Sequence, residues 1–73
     1  MTRGAITRAL DSSLLRSVTY GADATLTVQL HRGVAYRYFT VPRTVFEALR
    51  AAASSGAYFN RHIRDRFPYQ RVS

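Results

Sequence analysis

Polar and apolar residues alternate without a break from Thr25 to Leu30. Leu26, Val28 and Leu30 point one way, and Thr25, Thr27 and Gln29 the other, which is the period of a strand with one buried face. Upstream, Leu14 to Tyr20 ends in β-branched and aromatic residues and predicts a second strand. The turn between them is Gly21-Ala22-Asp23-Ala24. Downstream, His31-Arg32-Gly33 makes a turn in which Gly33 is free to take a positive φ. Val34 to Phe39 follows as a third strand, with Val34, Tyr36 and Tyr38 on one face and Ala35, Arg37 and Phe39 on the other. Links this short make the three strands an antiparallel meander.

At Pro42 the period changes. Its fixed φ suits the first turn of a helix. Val45, Phe46, Leu49, Ala52 and Ala53 then fall on one arc, opposite Arg43, Glu47, Arg50 and Ser54. Gly56 reads as the stop of that helix. A second helix is predicted from about Tyr58 to Arg66, with Phe59, Ile63 and Phe67 on its apolar face and Pro68 ending it. Residues 1–11 have no clear period and read as a flexible tail, with at most a turn of helix near Ile6 to Leu10; Tyr69 to Ser73 read as a basic tail. The expected fold is α+β, βββαα: a three-stranded meander with two helices on one face, in two layers. Residues 12–73 form its single domain.

Composition narrows this picture. A chain of 73 residues buries only about 60% of its unfolded surface, so the core is thin. It has no cysteine to staple it, by disulfide or by thiolate-bound zinc, which makes a homodimer or another protein partner one source of stability. Eleven basic residues face four acidic ones, for a net charge of +7, and every basic residue is arginine. Arginine forks phosphate and stacks on bases, so a polyanion such as RNA or DNA is an expected partner. An arginine- and alanine-rich composition is also what a GC-rich genome produces without selection for binding. No apolar run is long enough for a membrane span or a signal segment, and a cytoplasmic location is expected.

Two clusters at consistent spacing carry a resemblance. Tyr36-x-Tyr38-x-x-Val41-Pro42, followed by Ser54-x-Gly56-x-Tyr58-Phe59-Asn60-x-x-Ile63-Arg64, closely resembles the KTSC domain. That domain occurs at the C-terminus of some lysyl-tRNA synthetases and as small stand-alone bacterial or phage proteins. The resemblance covers residues 12 to 72, including Ser13, Leu15 to Tyr20 and Pro68-Tyr69. It departs at Phe67, where the family often has tyrosine, and in having no lysine. Through the synthetase context it implies RNA binding.

The candidate chemistry is binding rather than catalysis. His62 and Asp65 are three apart, but no nucleophile or second acid accompanies them in a known pattern. His31 and His62 do not have metal-ligand spacing, and no cofactor motif is present. Arg61 and Arg64, a predicted helical turn apart and joined by Arg66 and Arg71, form the first candidate for phosphate contact. Arg37 belongs to the open sheet face with Thr25, Thr27 and Gln29; Arg16 joins it only if the register of its strand allows. Tyr36 and Tyr38 have two readings: anchors beneath the helices, which the alternation around Arg37 supports, or a platform for unpaired bases. Ser54 and Asn60 are expected to hold the corner between the helices. Two functions stand: a non-enzymatic RNA- or DNA-binding module, or a protein-interaction module.

Overall fold

The computed structural model describes residues 5–10 and 12–72. Its elements are β1 (Ile6–Ala9), β2 (Leu15–Tyr20), β3 (Leu26–Leu30), β4 (Ala35–Tyr38), α1 (Arg43–Ala51), α2 (Ser55–His62) and β5 (Tyr69–Arg71). They build one antiparallel sheet in the order β1-β2-β3-β4-β5. The fold is α+β with both helices, as expected, but the sheet has five strands rather than three. The additional strands are its two edges. One lies inside the segment read as an N-terminal tail and the other inside the basic C-terminal tail.

Register explains which face is wet. Leu26 pairs with Tyr38 and Tyr20, and Val28 with Tyr36 and Val18, so these side chains share the covered face. Thr7, Thr19, Thr27, Arg37 and Gln70 form a row across the other face. The Thr7 and Thr19 hydroxyls share a 2.9 Å hydrogen bond there. Between Leu15 and Ser17 the ladder shifts by one residue. This bulge brings Leu15 into phase with Leu30 and leaves Arg16 exposed as the extra residue. The side of Arg16 could not be fixed from alternation because the alternation itself breaks at that position.

The core joins the covered sheet face to Val41, Phe46, Leu49, Phe59 and Ile63. The Tyr20 ring stacks on Phe46 at 4.9 Å. In the link to α1, Thr40 has a φ of 61° and Gly33 in the β3–β4 turn a φ of 89°.

The helix boundaries differ from the periodic reading. Pro42 is the N-cap of α1, which ends when Ala52 turns extended (ψ 142°), and Ala53 beyond it is exposed. Gly56 is not its stop; it lies in the first turn of α2, where an added Cβ would sit 3.2 Å from the Ser12 hydroxyl oxygen and 3.4 Å from the Leu14 Cβ. Ser54 caps α2 by accepting from the Ala57 N–H at 3.2 Å. The tie between the helices is the buried Ser55, whose hydroxyl donates to the Leu49 carbonyl at 3.4 Å, rather than Asn60. Helix α2 ends at His62, not Arg66.

Candidate nucleic-acid interface

That early end decides where the arginines go. The Phe59 carbonyl accepts from both the Ile63 and the Arg64 N–H, at 3.0 and 2.9 Å. The second bond is one residue longer than an α-helical bond, and Ile63 at φ −122° has left the helix. Ile63 is buried without remainder, and the chain beyond it returns to the sheet, where the Pro68 carbonyl accepts from the Phe39 N–H at 2.9 Å. Arg64 therefore does not stand one helical turn above Arg61. It lines a cavity of about 300 Å³ between the covered face of β4 and β5 and the end of α2. Arg61 lines a different, shallower groove with Tyr58 and His62, whose rings lie 4.5 Å apart.

The cavity is aromatic below and charged at the mouth. Tyr38 is 2% exposed and Phe59 3%, and their rings meet edge to face at 5.7 Å. Tyr69 of β5 packs against Tyr36 at 5.6 Å and Tyr38 at 5.2 Å, yet keeps 55% of its surface open. Tyr36 is half-buried. The tyrosine pair thus divides: Tyr38 belongs to the core and Tyr36 to the wall of the cavity. Around them stand Arg32 from the β3–β4 turn, Asn60, Arg64 and Asp65.

Burial pushes the Tyr38 hydroxyl up to about 12, reinforced by the neighbouring Tyr69 and Tyr36 and opposed by Arg64. Tyr38 therefore stays neutral at ordinary pH and can donate a hydrogen bond. Tyr58, Ser54, Gly56, Val41 and Pro42 lie in the helix corner and the α1 link, away from this cavity lining.

The remaining arginines are spread out. Arg37 lies on the open face, in a groove with Thr19, Thr27 and Thr40. Arg16 is exposed at the bulge and Arg66 in the turn after α2. Arg71 pairs with Tyr36 in register and so shares the cavity's side of the sheet. Among the described residues, the salt bridges are Arg43 and Arg50 to Glu47, at 3.4 and 2.9 Å. Sequence reasoning missed Arg32, treated only as a turn residue, and Tyr69, placed in a tail. The signal for Tyr69 was the Tyr69-Gln70-Arg71 alternation directly after Pro68. Among the described residues no three histidines or carboxylates gather as metal ligands, and no helix is long and apolar enough to cross a membrane.

The sequence model of the KTSC domain matches residues 11–67. The chain belongs to the KTSC domain family. This KTSC domain is 39% identical over 66 residues to an uncharacterized protein of Stutzerimonas stutzeri, covering 88% of this chain and 93% of that one. It is 45% identical over 64 residues to a lysine–tRNA ligase of Nostoc sp., covering 86% of this chain and 11% of the ligase. A lysine–tRNA ligase of Trichormus variabilis matches at 38% with the same coverage. The KTSC domain thus corresponds to about a tenth of those ligases. The crystal structure of a KTSC domain protein from Yersinia pestis has the same fold, with a TM-score of 0.86 over 94% of this chain and 99% of the other at 24% identity.

Proposed function

We propose that this KTSC domain is a non-enzymatic module that binds RNA or DNA through arginine–phosphate contacts centred on the tyrosine-lined cavity. The observation that carries the reading is the pair Arg32 and Arg64. They reach one cavity from different parts of the fold, and neither makes a salt bridge among the described residues. Arginines without a salt bridge among the described residues, set around aromatic rings, suit a ligand that offers both phosphate and bases. Arg71, on the cavity's side of the sheet, and the exposed Arg66 add positive charge, while Arg16, Arg37 and Arg61 contribute to the general field of a +7 chain. The relatives that are lysine–tRNA ligases act on a tRNA, which supports RNA as the partner.

The test is titration of labelled single-stranded RNA and duplex DNA at several salt concentrations. With three phosphates engaged, single-strand affinity falls roughly 20-fold between about 50 and about 200 mM salt. Absence of salt-sensitive binding to either probe would refute the proposal. A protein-interaction module would then be the better reading, favoured by the short edge strands β1 and β5, which carry mostly exposed residues.

A further inference from the structure

Resting on the nucleic-acid reading above, we infer that the cavity takes one unpaired base, so that the domain selects single strands over duplexes. Shape is the first argument. At about 300 Å³ the cavity lies at the small end of ligand pockets. It is concave, whereas a duplex offers its bases only as edges in grooves and must flip one out to fill a pocket.

The second argument is the wall chemistry. Tyr36 and Tyr69 supply ring surface at the rim, and stacking on such rings needs an unstacked base. The Asn60 amide has no hydrogen-bond partner among the described residues, and the Asp65 carboxylate makes no salt bridge among them. Together they offer donors and an acceptor to a base edge. Arg32 and Arg64 provide for the phosphates on either side. A carboxylate in the same lining as the two arginines is poorly suited to a cavity that reads phosphate alone. It suits one that also meets an exocyclic amino group.

The experiment compares a short labelled single strand, in ribo and deoxyribo forms, with the blunt duplex of the same sequence. The single strand is expected to bind at least about ten-fold more tightly at equal salt. Tyr69→Ala should weaken single-strand binding roughly ten-fold, while Tyr69→Phe binds as the parent. Circular dichroism checks the fold of Tyr69→Ala. Should that variant unfold, amide shifts of the unmodified protein decide instead. Shifts confined to Arg32, Tyr36, Asn60, Arg64 and Tyr69 support the inference; shifts centred on Thr27 and Arg37 overturn it. Equal, salt-sensitive affinity for single strand and duplex overturns it while leaving the proposed function standing. No binding to any probe overturns both.

Discussion

The Tyr20 hydroxyl donates a 2.7 Å hydrogen bond to the buried Val41 carbonyl, twenty-one residues on. One side chain thus fixes where the chain leaves the sheet for α1, while its ring stacks on Phe46 inside that helix. Tyr20→Phe keeps the stack and orphans the carbonyl. It should lower stability by about 1–3 kcal/mol in urea unfolding. An unchanged midpoint would mean that Val41 finds another donor.

Tyr38 makes stability depend on alkaline pH. Its folded-state pKa of about 12 exceeds the unfolded value of 10.0. The native state therefore holds the proton more tightly, and the contribution is fully present below pH 10 and lost as pH rises through about 12. Unfolding free energy should fall across that window, and Tyr38→Phe should flatten the slope. The check is urea midpoints measured through the alkaline range for both proteins.

Gly56→Ala should destabilise, although alanine is the better helix former. The new Cβ meets the Ser12 hydroxyl oxygen at 3.2 Å. That oxygen has little freedom to move, since it already accepts from the Leu14 and Leu15 N–H groups. A loss of about 1–3 kcal/mol is expected from overpacking, read as a lower melting temperature.

Thr40→Gly should do the opposite. A β-branched residue at φ 61° carries strain that glycine lacks. The variant should gain up to about 1 kcal/mol, or lose nothing, in thermal melting. A marked loss would show that the Thr40 side chain contributes more than its backbone costs.

Arg64→Gln and Arg61→Gln should separate. The first removes a cavity cation, and should weaken single-strand binding and reduce the salt slope by about 0.7. The second, in its own groove, should change affinity far less. Equal effects in a salt titration would return the site to the outer face of α2.

What could be read from the sequence followed burial. Leu26, Val28, Leu30, Phe46, Leu49, Phe59 and Ile63 each sit in the core their spacing requires. The edges could not be read in this way. In β1 only Ile6 is even partly buried, and in β5 all three residues are exposed, so backbone pairing holds both strands and leaves little trace in hydrophobicity. The cavity was hidden for the same reason. Tyr69 reaches Tyr36 and Tyr38 only through the β4–β5 pairing, and Arg64 reaches them only because α2 ends one turn early. The placement of Arg37 opposite Tyr36 and Tyr38 was legible, since a regular alternation fixes it.

The bulge at Arg16 also bears on how the chain tolerates changes in length. In a regular strand, removing one residue turns every side chain beyond it to the other face. Here the extra residue is already present, between Leu15 opposite Leu30 and Ser17 opposite Gln29. Excising Arg16 would heal the ladder and leave Leu15, Val18 and Tyr20 facing inward. The same excision at Thr27, in the unbroken β3, would turn half that strand inside out.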